Sequence, residues 1–123
     1  FAPIYAQEYI EKEFEIRIFF IEDSLFSMGI FSQQDEQTRV DYRNYNDEIH
    51  NRCVTINLPK NIKSQLLDFT RKVKLNTGLI DMIYSIDERY IFLEVNPMWQ
   101  FDLLSKNCNY YIEEAIAKEF MEL

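Results

Sequence analysis

Residues 14–21 constrain the fold more tightly than any other part of this 123-residue chain. In an extended backbone, Phe14, Ile16, Ile18 and Phe20 fall on one side, and Glu15, Arg17 and Phe19 on the other. A helix would need its apolar residues every three or four positions, so the alternation predicts a strand. Glu22-Asp23-Ser24 follows as a polar turn, and residues 25–32 as the returning strand of a hairpin. Residues 5–10 are expected to form an edge strand and residues 53–58 a further short one. Residues 79–86 and 90–96 predict a second hairpin around Asp87-Glu88.

Two segments carry the helical period instead. Pro59 suits the start of the first, with Ile62, Leu66, Phe69 and Val73 as its apolar stripe. Lys60, Lys63, Arg71, Lys72 and Lys74 read as its solvated side, and Asn76-Thr77-Gly78 as its end. Asn109 is expected to cap the second helix, with Glu113 and Glu114 in its first turns. Ile112, Ala115, Ile116, Phe120 and Leu123 form its stripe. Residues 33–52 hold few aliphatic side chains and predict a long, mobile loop, a kind of segment that is usually functional. The sum is an α+β domain over residues 1–123: a mainly antiparallel sheet with two helices packed on one face.

Composition closes several routes. Thirteen Lys and Arg against twenty-one Asp and Glu leave a net charge of −8, which argues against a nucleic-acid partner held through its phosphates. No apolar run approaches the roughly 20 residues of a membrane span, and no signal peptide is visible. Gly29 and Gly78 are the two glycines, so neither a GxGxxG turn nor a P-loop can be built. Cys53 and Cys108 read as reduced, partly buried thiols, and the lone His50 as a surface residue outside any nucleophile–base pair. A cytoplasmic protein is expected. Phe1-Ala2-Pro3 reads as the interior of a longer protein.

The second hairpin holds the chemistry. With a loop of even length centred between Asp87 and Glu88, Asp81 stands opposite Glu94 and Leu79 opposite Asn96; an odd loop or a bulge would break that register. Like charges placed opposite each other destabilise a sheet unless something neutralises them. Asp, Glu and Asn are hard oxygen ligands suited to Mg²⁺. On pattern alone, a cation site and a solvated acidic surface are both open.

Phe92-Leu93-Glu94-Val95-Asn96-Pro97 resembles the E-[ILV]-N-P motif near the end of ATP-grasp ligases. Asn76-Thr77-Gly78-Leu79-Ile80-Asp81 resembles the strand carrying that family's first metal-binding Asp, and Gln7-Glu8-Tyr9-Ile10 its adenine-facing hinge. Glu15-Ile16-Arg17-Ile18-Phe19 and Asp41-Tyr42-Arg43-Asn44 resemble its two arginine segments. The flanks, including Phe31-Ser32-Gln33, Asn96-Pro97-Met98-Trp99-Gln100-Phe101 and residues 105–110, resemble the grasp-with-spasm maturases, relatives of the microviridin-type ligases that make graspetides. Trp99 stands where that subgroup usually has Gly, a departure that bears on the Gln100 loop and substrate choice.

The resemblance implies the C-terminal subdomain of an ATP-grasp fold, with the phosphate-holding lysines elsewhere. It implies ATP and Mg²⁺ as cofactors, with Asp81, Glu94 and Asn96 as metal ligands and Arg17 and Arg43 as phosphate-facing catalytic residues. Glu8, Tyr9 and Ile10 are the implied adenine contacts. The implied partners are a precursor peptide and a SPASM-domain radical enzyme encoded nearby, and the implied products are ester or amide cross-links. The 123 residues by themselves are expected not to turn over ATP. A ligase of another substrate, such as a glutamate-adding enzyme, and a non-catalytic binding module are the alternatives.

Overall fold

The computed structural model describes residues 6–33, 52–97, 108 and 110–121. The described strands are β1 (Lys12–Ile21), β2 (Ser24–Phe31), β3 (Arg52–Thr55), β4 (Thr77–Ser85) and β5 (Tyr90–Asn96). They form one antiparallel sheet in the order β3-β2-β1-β4-β5. Two helices are described, α1 (Lys60–Lys72) and α2 (Ile112–Met121). The α+β class and the antiparallel sheet are as expected. The expected edge strand at 5–10 is not formed: residues 6–10 are irregular.

The helices lie on opposite faces of the sheet, not on one. Ile62 and Leu66 of α1 pack with Ile16, Ile18, Phe20, Ile80 and Met82. Ile112, Ala115 and Ile116 of α2 pack with Phe19, Ile21, Met28, Ile30 and Leu79. Alternation along β1 sends Phe19 and Ile21 away from Phe20, so both faces carry apolar side chains that need cover. The sequence reading covered the Ile16–Ile18–Phe20 face and left Phe19 among the polar residues.

Helix α1 starts after Pro59, which closes it without a side-chain cap. Its end lies before the expected Asn76-Thr77-Gly78. Lys74 takes the left-handed conformation (φ 57°), its N–H donates to the Arg71 carbonyl, and the Leu75 N–H donates to that of Thr70. This is a Schellman ending with lysine in the position glycine usually takes. Gly78 sits inside β4, where a Cβ would come within 2.7 Å of the Asn96 carbonyl oxygen and 3.2 Å of the Phe20 ring. Glycine is needed there for close approach. The outer ends of both helical stripes are exposed: Val73 at 43% and Phe120 at 62%.

Cys53 and Cys108 are both reduced and half-buried, as expected, and burial pushes both thiols up from their ordinary range. No described helix is long and apolar enough to cross a membrane.

Candidate functional site

Beyond the apolar patch under α2, the same face of the sheet turns polar. Arg17 pairs in register with Asp81, and Asp81 in turn with Glu94, placing three charged side chains in a row across β1, β4 and β5. Arg17 Nε donates to Asp81 Oδ1 at 3.2 Å, with both side chains largely buried. Asp81 is 8% exposed, and its Oδ2 accepts no hydrogen bond among the described residues. Asn96 pairs with Leu79, two positions along from Glu94 on the same face. Glu94 is exposed and Asn96 half-buried.

The register that joins Asp81 to Glu94 arises differently from the sequence argument. The loop is centred on Asp87, not between Asp87 and Glu88: Ser85 N–H donates to the Arg89 carbonyl, and Glu88 takes a positive φ of 64°. This is the three-residue hairpin loop ending in a left-handed residue. Met82 therefore pairs with Phe92, one position out of step with the expected pairing. A bulge at Leu93 then adds a residue to β5 and restores the step, so Asp81 meets Glu94. Each irregularity alone would break the expected pairing; together they cancel. The bulge also keeps Phe92 on the α1 face against Phe69, with ring centroids 4.9 Å apart.

A second bulge shapes the other side of the site. Lys12 pairs with Ser85 and Phe14 with Tyr84, leaving Glu13 as the extra residue. Plain alternation would put Lys12 on the α1 face with Phe14. The bulge turns it to the polar face, where Lys12 Nζ lies 2.6 Å from Glu15 Oε1. Ser32 Oγ donates to the other oxygen, Glu15 Oε2, at 3.2 Å, and Gln33 Nε2 donates to Ser32 Oγ at 3.2 Å. Lys12, Glu15 and Ser32 are 7%, 5% and 0% exposed. Sequence reasoning missed Lys12 and Ser32 as members of this cluster, because a one-residue bulge at Glu13 leaves no mark in composition.

The remaining candidates are more scattered. Glu8, Tyr9 and Ile10 lie in the irregular stretch before β1, with Tyr9 55% exposed. Arg43, His50, Trp99 and Asn109 lie outside the described residues, as does all of the expected loop except its ends, Gln33 and Arg52.

Among the described residues, no three of His, Cys, Asp and Glu gather as a metal-binding group. The candidate set is two carboxylates and a carboxamide, all oxygen donors. That fits Mg²⁺, which takes one or two protein carboxylates and fills its shell with phosphate and water oxygens. Among the described residues the Oδ2 of buried Asp81 has no hydrogen-bond donor, and that observation favours a cation here, since a buried carboxylate oxygen left unpaired is costly.

No protein-family model matches the chain, and no curated protein does. Solved structures do. An ATP-grasp ligase associated with RiPPs (ribosomally made, modified peptides) from Chryseobacterium gregarium, in complex with ADP and a leader and core peptide, is 30% identical. That match has a TM-score of 0.76 and covers 81% of this chain and 30% of that one. Macrocyclase MdnC from Microcystis aeruginosa MRC, bound with precursor peptide MdnA, is 37% identical at TM-score 0.76, over 93% of this chain and 35% of that one. ATP-grasp ligase PsnB, complexed with a precursor variant, Mg and ADP, matches at TM-score 0.73 over 92% of this chain and 34% of that one. Its 20% identity speaks for the fold alone. The chain thus spans about a third of the length of these structures. The fold of this chain is similar to that of part of these ATP-grasp ligases, the fold that the resemblance implies.

Proposed function

We propose that the chain supplies the metal-binding end of an ATP- and Mg²⁺-dependent ligase that forms ester or amide cross-links in a ribosomally made precursor peptide. The observation that carries this reading is the row Arg17–Asp81–Glu94 with Asn96 beside it, set in a fold shared with RiPP-associated ATP-grasp ligases. Mg²⁺ held by Asp81, Glu94 and Asn96 would offset the charge of the phosphates as a carboxylate approaches them. Arg17 fixes the Asp81 carboxylate through Oδ1 and, among the described residues, Oδ2 accepts no other bond. Its guanidinium also supplies permanent positive charge beside the phosphates. The backbone of Glu8, Tyr9 and Ile10 is the proposed adenine contact, and Arg43 the second phosphate-facing arginine.

In the proposed reaction, a side-chain carboxylate oxygen of the peptide attacks the γ-phosphorus of ATP and ADP leaves. A Ser or Thr hydroxyl, or a Lys amine, then attacks the acyl carbon of the acyl phosphate and phosphate leaves. Each linkage therefore costs one ATP and removes one water from the peptide. A cytoplasmic enzyme working beside a SPASM-domain radical enzyme completes the reading, and a precursor gene and such an enzyme encoded together would support it.

The test is stoichiometric. The full-length enzyme that contains these residues is incubated with ATP, Mg²⁺ and candidate precursor peptides, and ADP and peptide mass are followed together. One ADP per water lost is expected. Water loss without ADP formation, or ADP formation with no change in any peptide, contradicts the proposal.

A further inference from the structure

We infer that Gly78 is a positioning residue for Asn96: the lack of a side chain at position 78 sets where the last residue of β5 sits. Its bearing on metal binding rests on the ligase reading above; the packing does not. Gly78 has no positive φ, so torsion does not call for glycine there. Space does. A Cβ would lie 2.7 Å from the Asn96 carbonyl oxygen and 3.2 Å from Cε1 and Cζ of Phe20. The ring contacts ask for a few tenths of an ångström; the carbonyl contact asks for more, and asks it of backbone.

The surroundings decide which side yields. The start of β4 is tied to β1: Thr77 Oγ1 donates to the Phe20 carbonyl at 3.0 Å, and the Glu22 N–H to the Asn76 carbonyl at 2.7 Å. Strand β5 is the outermost strand of the described sheet, and among the described residues it pairs with β4 alone. Asn96 is its final residue and precedes Pro97, whose ring holds Asn96 to extended backbone and denies its carbonyl the freedom to swing aside. A side chain at 78 therefore pushes out the end of β5, and the Asn96 side chain moves with it. Alternation puts that side chain on the face of Glu94, and the pairing with Leu79 puts it on the face of Asp81. Glycine at 78 thus lets Asn96 close on β4 at the edge of the proposed cation site.

The test uses the full-length enzyme that contains these residues, with ADP bound. It reads the side-chain amide resonances of Asn96 and, by electron spin resonance, the affinity for Mn²⁺. The variants are Gly78→Ala, Asn96→Ala and the two combined, with Phe20→Leu and Phe20→Leu/Gly78→Ala as a second pair. Leucine lacks the ring atoms that a Cβ at 78 would meet, so the second pair isolates the contact with Asn96 and serves if Gly78→Ala fails to fold. In either background Gly78→Ala is expected to shift the Asn96 amide and to weaken Mn²⁺ binding about tenfold. Asn96→Ala is expected to weaken it as much, and the combined variant no further, because the alanine acts through the asparagine. The inference is overturned if Gly78→Ala leaves the Asn96 amide in place, or if the Phe20→Leu background abolishes the shift. It is also overturned if the two losses of affinity add, or if only Asn96→Ala lowers the affinity. Mn²⁺ bound as in the wild type by Asn96→Ala would sink the reading of Asn96 as a ligand, and the amide shift alone would then decide this inference.

Discussion

The two faces of the sheet use the same strands for different ends. On the α1 face, Ile16, Ile18, Phe20, Ile80 and Met82 make a continuous apolar surface, closed by Leu58 and Leu66. On the α2 face, Phe19, Ile21, Met28, Ile30 and Leu79 are covered by Ile112, while Lys12, Glu15 and Asp81 are buried beside them as charges and Arg17 is partly buried. One face can therefore be read as packing alone. The other combines packing with paired charges, whose burial is repaid only when each finds its partner. Substitutions on the α1 face should cost stability, whereas those at the charged end of the α2 face should cost chemistry more than stability.

The largest effect is expected from Phe20→Ala. The ring is fully buried, and its removal leaves a cavity beneath α1 that costs about 3–5 kcal/mol, read as a lower denaturant midpoint. A cost below about 1 kcal/mol would break the comparison, because the α1 face would then not be the main core. Gly78→Ala comes next, at about 1–3 kcal/mol, since the new Cβ would press on the Asn96 carbonyl. The same Cβ would also meet the Phe20 ring at 3.2 Å, so amide shifts should appear both in β5 at Asn96 and beneath α1. Asp81→Asn removes the charge that holds Arg17 and is expected to cost about 1 kcal/mol, with an asparagine oxygen still able to accept from Nε. Val73→Ala and Phe120→Ala should stay within about 0.5 kcal/mol of the wild type, because both side chains stand in water.

The β4–β5 loop offers a pH test of register. Hydrogen bonds from Ser85 and then from Arg89 lower the Asp87 carboxyl below its ordinary range. A group depressed in the folded state contributes its stability above the unfolded value and loses it as pH falls through the folded value. Acidification below about pH 4 should therefore loosen this loop, seen as faster exchange at Glu88 and Arg89 while β1 and β2 hold. Uniform loosening across the sheet would contradict the assignment to Asp87.

Much of this was legible in the sequence because it is periodic. The alternation through residues 14–21 gives β1 and both its faces, and the spacing of Ile62, Leu66 and Phe69 gives the buried side of α1. What stayed hidden has a common cause: events of one residue. The bulge at Glu13 reversed Lys12, the bulge at Leu93 offset the odd loop at Asp87, and the helix ended at a left-handed Lys74, before the expected Asn76-Thr77-Gly78. None of these changes hydrophobic periodicity. The helix faces were hidden for another reason: a helix stripe shows that a side is buried, not which face of a sheet buries it. The pairing of Arg17 with Asp81 needed β1 beside β4, a neighbour relation that strand patterns do not encode.

The central claim is that Asp81, Glu94 and Asn96 together bind the cation that accompanies the nucleotide. The most direct measurement is the anomalous signal of Mn²⁺, replacing Mg²⁺, in crystals of the protein grown with ADP. The account predicts a peak within about 2.0–2.3 Å of oxygens from Asp81 and Glu94, with Asn96 completing the protein ligands, and loss of that peak in Glu94→Gln with the sheet unchanged. A cation bound to the nucleotide but away from these side chains, or a peak that survives Glu94→Gln in place, would contradict it.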